Sequence, residues 1–270
     1  MPICSICRDE KQCTEQYVIP EVLCGYYYIN TVCETCHENV IASIDRILIS
    51  HKLIQYKIDQ LKHQVDSPLL LDIYDEEKYT NGETDIDEFQ FSNSLIMKLC
   101  KRNDISLHNE IWKEERVTKV AGSIQRELLL DNRKYKMSLL KMAYLFAIHN
   151  IDGYISDPDA VVISNILSNI DFIELKDRNI VRDLSKSSLW NTLSTDCENH
   201  YFILLSDKDG LFCFIRFFDV FDVVVHLSKK RYDLPSPIVG VNDANNQVFY
   251  KKSLKEYMNG LFKPTNRIKS

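Results

Sequence analysis

Apolar residues recur with a helical spacing along much of this chain. Over residues 36–65 they return mostly every three or four positions, which predicts one long helix that Pro68 terminates. The spacing returns over residues 89–169 and is clearest at 134–149, where a second long helix is expected. Asp157-Pro158 then marks the start of a further short helix. The middle of the chain is therefore predicted to be mainly helical.

Strand-like patterns occupy the two ends of the sequence. Residues 26–32 are aromatic and β-branched, which predicts a strand near the N-terminus. Residues 200–205 and 211–225 are two apolar runs on either side of Ser-Asp-Lys-Asp-Gly, a sequence typical of a hairpin turn. A further strand is expected at 247–250, followed by a terminal helix at 253–261. The pattern as a whole predicts an α+β protein.

Three segments follow from these patterns. Residues 1–66 would form an N-terminal module with its long helix, residues 67–170 a mainly helical region, and residues 171–270 a β-rich region with a terminal helix. An acidic stretch at 72–88, with Asn81-Gly82 as a turn signal, lies near the first boundary.

Two C-x-x-C pairs lie within the first forty residues: Cys4 with Cys7, and Cys33 with Cys36. A C-x-x-C turn lets both sulfur atoms face one ion, so two such pairs are typical of a tetrahedral structural zinc site. The alternative is a group of reduced, buried cysteines. Cys13 and Cys24 lack this spacing and are expected to be small buried residues.

Composition and charge exclude several classes of protein. Seven glycines in 270 residues argue against a glycine-rich nucleotide-binding fold, and a net charge of −6 gives no general attraction to nucleic acid. The most apolar stretch, 211–227, carries Arg216, Asp219 and Asp222 and is too polar to span a bilayer. The sequence shows no secretory signal, so we expect a cytoplasmic protein without a membrane contact.

The first forty-five residues contain an ordered series of motifs. Cys4-x-x-Cys7 is followed by Thr-Glu-Gln-Tyr-Val-Ile-Pro-Glu at 14–21, by Leu-Cys-Gly at 23–25, and by Asn-Thr-Val-Cys-x-x-Cys-His at 30–37. This series resembles the zinc-stapled branch of the HNH endonuclease family. The resemblance implies a treble-clef or ββα-metal module with a structural Zn²⁺, here followed by a helical and antiparallel-β accessory domain.

The resemblance also implies a catalytic centre, and its residues can be placed one by one. Asn30 falls at the orienting asparagine and His37 at the terminal ligand of a catalytic cation. The acidic ligand position holds Gln16, and the general-base position holds Tyr17. A tyrosine with a pKa near about 10 is a poor base at neutral pH, and loss of a general base typically costs about 10²–10⁴-fold in rate.

Three functions follow. The first is a degenerate nuclease that binds nucleic acid or a protein within a microbial or phage nucleic-acid-processing or defence system. The second is an active endonuclease that cleaves DNA with Mg²⁺ or Mn²⁺ through a shifted site made of Glu15, Asn30 and His37.

The third function is an RNase, because Arg102 and His108 have the Arg-to-His spacing seen in HEPN ribonucleases. If nucleic acid binds at all, we expect it at the basic segment from Lys101 to Lys141 or at the basic C-terminal tail. The plainer interpretation of that segment is the solvated faces of amphipathic helices.

Overall fold

A computed structural model describes residues 2–51, 54–55, 57–58, 117–120, 123–126, 134–184, 190, 193, 198–218 and 220–261. The chain divides into two compact units. One combines Met1–Ile58 with Arg133–Ser270, and the other is Asp59–Asn132.

The N-terminal module, residues 2–51, is a β-hairpin followed by a helical segment. Strands β1 (Cys13–Tyr17) and β2 (Tyr28–Cys33) pair antiparallel. A helical turn (Glu34–Cys36), a π-helical turn (His37–Ile41) and helix α1 (Ala42–Ile49) follow without a break. The strand predicted at 26–32 is thus confirmed as β2.

The helix predicted to run unbroken over 36–65 is interrupted: α1 ends at Ile49, and residues 54–55 and 57–58 are helical again. Ser50 closes α1 by donating its N–H to the Arg46 carbonyl, and His51, which is no longer helical, donates its N–H to the Leu48 carbonyl. The half-buried His51 ring packs edge-on against Phe221 and Tyr135, at centroid distances of 5.0 and 6.2 Å. The contacts with Tyr135 and Phe221 accompany a change of backbone direction at His51. A periodicity of apolar residues does not indicate such a change.

The second unit contains a β-hairpin where the sequence predicted helix. Strands β3 (Val117–Val120) and β4 (Ser123–Arg126) pair antiparallel with a two-residue loop. The β-branched residues of β3 and the glycine at 122 are typical of such a hairpin. The helical prediction for 89–169 is therefore wrong over these residues.

Helix α2 (Lys134–Asn150) lies at the centre of the larger unit and confirms the helix predicted at 134–149. It is buried around almost its whole circumference, as expected of a helix with layers on both sides. Asp157 caps helix α3 (Pro158–Asn169) by accepting the N–H of Asp159, which confirms the helix start predicted there. Asp171 caps a short helix, α4 (Phe172–Asp177), which the sequence did not predict.

Within the described residues, a six-stranded antiparallel sheet forms the other layer. Its strands are β5 (Val181–Asp183), β6 (His200–Asp207), β7 (Gly210–Phe217), β8 (Phe221–Ser228), β9 (Ile238–Asp243) and β10 (Val248–Ser253), in the order β10-β9-β6-β7-β8-β5. Helix α5 (Leu254–Leu261) follows. Helix α2 packs against α1 on one side and against β7 and β8 on the other.

The predicted turn at 206–210 is confirmed, because Asp207 pairs with Gly210 across it. The single strand predicted at 211–225 is wrong: the run forms β7 and β8, which pair antiparallel. Phe218 adopts a left-handed conformation, with φ of 52°, at the turn between them. The apolar run continues through this turn, so hydrophobicity alone did not mark it.

Candidate metal centre and the adjoining hairpin

Four thiols meet at the base of the β1–β2 hairpin. The Sγ atoms of Cys4, Cys7, Cys33 and Cys36 all lie within 4.8 Å of one another. A tetrahedral zinc with Zn–S bonds of about 2.3 Å separates neighbouring sulfurs by about 3.8 Å. The Cys7 and Cys33 sulfurs are 3.9 Å apart. The residues predicted from the C-x-x-C spacing are therefore brought together, and their geometry suits one Zn²⁺.

The backbone around the thiols holds the first knuckle against the end of β2. Ser5 donates its N–H to the Thr31 carbonyl at 2.8 Å, and its Oγ also donates to that carbonyl at 2.6 Å. The Cys33 N–H points at the Cys4 sulfur at 3.3 Å. Such N–H···S contacts favour the thiolate form that a metal requires.

The pKa values of these thiols depend on burial, on N–H donors and on one another. Burial raises the pKa of Cys36 and of Cys7, and the neighbouring Cys4 sulfur adds to both shifts. Burial acts in the same direction on Cys4, but N–H donors from Cys33, Cys7 and Ile6 outweigh it and bring the pKa of Cys4 to about 7. Four adjacent thiolates would repel one another, and a divalent ion removes that repulsion.

One face of the hairpin, which we call the hairpin face, consists of Glu15, Tyr17, Tyr28 and Asn30. All four are exposed, whereas Gln16 and Ile29, which alternate with them, are only 4% and 5% exposed. Tyr17 lies opposite Tyr28 in the strand register, and the register shifts between Thr14 and Gln16. The structure thus brings three of the four predicted catalytic residues, Glu15, Tyr17 and Asn30, onto one surface.

His37, the fourth, lies on a different element. It begins the π-helical turn that follows the second knuckle, and its side chain is exposed. In the part of the chain that the structure describes, no hydrogen bond or ion pair joins His37 to Glu15 or Asn30. The thiol cluster is also the one group of three or more His, Cys, Asp or Glu side chains within that part that could hold a metal ion.

Gln16 faces inward, away from the hairpin face. Its Nε2 donates to the Thr14 hydroxyl at 2.7 Å, and its side chain is buried. Two residues further on, the Val18 carbonyl accepts a hydrogen bond from the Lys141 ammonium at 2.8 Å. The inner side of the hairpin therefore already contains a fixed positive charge.

Lys141 is completely buried and forms an ion pair with Asp45 at 2.5 Å. Burial raises the pKa of Asp45, against the opposing effect of the Lys141 and His37 charges. A buried pair of this kind keeps its charges only while both partners are present. The Asp45 carboxylate is thus paired with a lysine of α2.

Lys141 is one of three polar α2 residues that reach backbone carbonyls of the N-terminal module. Ser138 donates to Ile44 at 2.7 Å, and Tyr144 donates to Ser5 at 2.7 Å. The three residues recur every third position, so they share one side of the helix. The apolar pattern of α2 did not indicate these three residues. The available signal was a lysine within a strongly apolar helical run, because a buried lysine needs a partner.

The loop between β1 and β2 is held by the sheet. His200 hydrogen-bonds the Leu23 carbonyl through Nε2 at 3.0 Å and accepts the Phe218 N–H through Nδ1. Asn242 donates to the Cys24 carbonyl and accepts the Tyr26 N–H, both at 2.7 Å. Burial lowers the pKa of His200 to about 4, so the ring is neutral at pH 7.

Several sequence predictions fall outside the described residues. Arg102 and His108, the basic segment up to Arg133 apart from strands β3 and β4, and the tail at 262–270 lie there. Of the basic residues near the C-terminus that the structure does describe, Lys251 donates to Asn150 at 2.9 Å. None of the described helices has the length and apolar character needed to cross a membrane.

The fold and the thiol cluster together define an α+β protein with an N-terminal module built around a site able to hold zinc. That module is HNH-endonuclease-like: the HNH endonuclease family model matches residues 3–53. The match spans both cysteine pairs, the hairpin and the first helix. Searches among curated proteins and among solved structures give no match.

Proposed function

We propose that this protein is a degenerate HNH nuclease, in which the N-terminal module binds a partner and no longer cleaves phosphodiesters. Its Zn²⁺ would be structural, held by Cys4, Cys7, Cys33 and Cys36. The family resemblance suggests a setting in microbial or phage nucleic-acid processing or defence.

The observation that carries this proposal is the pair of residues, Gln16 and Tyr17, at the acidic-ligand and general-base positions of the resemblance. Gln16 is buried, bonded to Thr14, and brings no charge to a cation. Tyr17 is exposed and packs edge-on against Tyr28 with ring centroids 6.3 Å apart. Metal-assisted hydrolysis needs a carboxylate or imidazole ligand and a base that is deprotonated near neutral pH, and neither residue supplies these.

The Lys141–Asp45 pair supports the same conclusion. A second divalent cation bound on the inner side of the hairpin would lie near a buried ammonium, and the Asp45 carboxylate is already neutralised by that ammonium. Both effects oppose binding of Mg²⁺, which prefers free carboxylate oxygens.

Nuclease assays test the proposal. We expect the zinc-loaded protein to leave plasmid DNA and RNA intact in Mg²⁺ and in Mn²⁺, while elemental analysis finds one zinc per chain. Cleavage that His37→Ala abolishes, and that the exposed neighbour variant Glu38→Ala retains, would instead establish the shifted site of Glu15, Asn30 and His37. Metal-independent RNA cleavage that Arg102→Ala abolishes would establish the RNase alternative with His108.

A further inference from the structure

The hairpin face combines aromatic surface with a carboxylate. Tyr17 and Tyr28 are 39% and 54% exposed, and their rings meet at an angle of 77°. Other exposed large hydrophobic residues of the same module are Ile3 and Val22. Exposed apolar surface of this kind is typical of interaction sites when it is concentrated in one region.

The exposed charges of the N-terminal module are mostly negative. Its exposed acidic residues are Asp9, Glu10, Glu15, Glu21, Glu34 and Glu38, and the exposed basic residues are Lys11 and Arg46. Lys11 is already paired with Asp9 at 2.8 Å. Four thiolates around one Zn²⁺ would add a net negative charge at the base of the hairpin.

We propose that the hairpin face is a docking surface for a cationic, arginine- or lysine-rich polypeptide segment of a partner protein. The inference rests on the proposed function, because an active nuclease would have to offer this face to phosphates. The tyrosine rings offer π-faces to which a guanidinium or ammonium group binds, and the Glu15 carboxylate accepts its N–H donors. Asn30 offers a further acceptor beside them.

The same charges disfavour nucleic acid at this face. A phosphate backbone binds through clustered Lys and Arg, whereas this module presents an excess of carboxylates. Electrostatic complementarity sets the choice of partner and the rate of association, so the sign of the surface charge separates the two classes of partner.

Fluorescence anisotropy with the full, zinc-loaded chain tests the proposal. The probe is a short fluorescein-labelled peptide of alternating arginine and glycine, and the control probe has glutamate in place of arginine. Labelled duplex DNA and single-stranded RNA are titrated in parallel. We expect saturable binding of the arginine peptide at low ionic strength and little binding of the other three probes.

Matched variants locate the binding surface. Glu15→Lys should weaken binding of the arginine peptide by about tenfold. Asp177→Lys makes the same change of charge at an exposed position on α4 and should have less than about a twofold effect. Tyr28→Ala should weaken binding about two- to fivefold, because an exposed cation–π contact is lost. Ile173→Ala, a change at a side chain that is 74% exposed on α4, should not weaken it.

Three results would overturn the docking proposal: no binding of the arginine peptide, equal losses from Glu15→Lys and Asp177→Lys, or preferential binding of an oligonucleotide that the hairpin variants weaken. Each is distinct from failure of the proposed function, which would appear as phosphodiester cleavage by the unmodified protein.

Discussion

Cys24 and Gly25 lie next to each other in the loop between β1 and β2. Cys24 has a φ of 58°, in the left-handed region. A Cβ atom on Gly25 would lie 2.0 Å from the Ile19 carbonyl oxygen. Gly25 is therefore required by close backbone contact, whereas Cys24 adopts its left-handed conformation at the cost of some backbone strain.

These two positions should respond differently to substitution. Gly25→Ala is expected to destabilise the protein by about 3 kcal/mol or more, because backbone atoms must move to admit the methyl group. Cys24→Gly should change the free energy of unfolding by less than about 1 kcal/mol, since relief of strain offsets the extra freedom of glycine when unfolded. Urea denaturation measures both, and equal losses at the two positions would contradict this account.

Cys36 and Cys13 should also respond differently to substitution. Cys36 belongs to the thiol cluster, whereas Cys13, which pairs with Cys33 in the strand register, lies outside it. Cys36→Ser should lower the zinc content and loosen the N-terminal module, because structural zinc contributes directly to folding. Cys13→Ser should keep one zinc per chain. Elemental analysis and amide hydrogen exchange measure these outcomes, and zinc loss from both variants would argue for a different ligand set.

At the scale of elements, helix α2 connects the N-terminal module to the sheet. It packs against α1 and against β7 and β8, and its Ser138, Lys141 and Tyr144 bind carbonyls of the module. Buried polar groups that are fully paired specify one arrangement of the elements they join. The orientation of the module on α2 is thus determined by hydrogen bonds as well as by apolar packing.

Removing the Lys141 charge tests this connection. Lys141→Met should destabilise the protein by about 3–5 kcal/mol, because the Asp45 carboxylate is left buried without its partner. Adding Asp45→Leu should recover most of that loss, since the uncompensated charge is then gone. Chemical denaturation of the two single variants and the double variant gives the coupling energy. Additive losses would show that the pair is not coupled.

At the scale of the whole molecule, two neutral histidines, the buried His200 and the half-buried His51, make contacts between segments far apart in sequence. His200 joins the sheet to the loop of the module, and His51 packs between Tyr135 and Phe221. Burial lowers the pKa of each to about 4, from an ordinary value of 6.5. Because their native pKa values are lowered, the unfolded chain binds more protons between these two pH values.

Stability should therefore fall as the pH decreases from 6.5 to 4. The expected slope is about 1.4 kcal/mol per pH unit for each histidine, up to about 3 kcal/mol in total for each. His200→Gln should reduce the slope by about one histidine's share, although it also lowers stability at pH 7. Urea denaturation at several pH values compares the two slopes. The difference isolates His200 from the thiolates, whose protonation acts in the same direction, and an unchanged slope would contradict the assignment.

Local sequence signals determined much of this protein. The C-x-x-C spacing identified the four thiols of the candidate metal centre, the Ser-Asp-Lys-Asp-Gly sequence identified the β6–β7 turn, and apolar periodicity identified α2. The resemblance of the N-terminal module to the HNH endonuclease family is confirmed by the family model, which matches residues 3–53. Each of these signals depends on residues close together in the chain, where geometry follows from spacing alone.

Tertiary structure alone decided where helices and strands stop and which polar groups meet. The early end of α1 depends on His51 packing beside Phe221, and the division of 211–225 depends on β8 folding back onto β7. The Lys141–Asp45 ion pair and the hydrogen bond between His200 and the Leu23 carbonyl join residues that are distant in sequence. Their free energy comes from burial and pairing in the folded state, and no local pattern of residues encodes it.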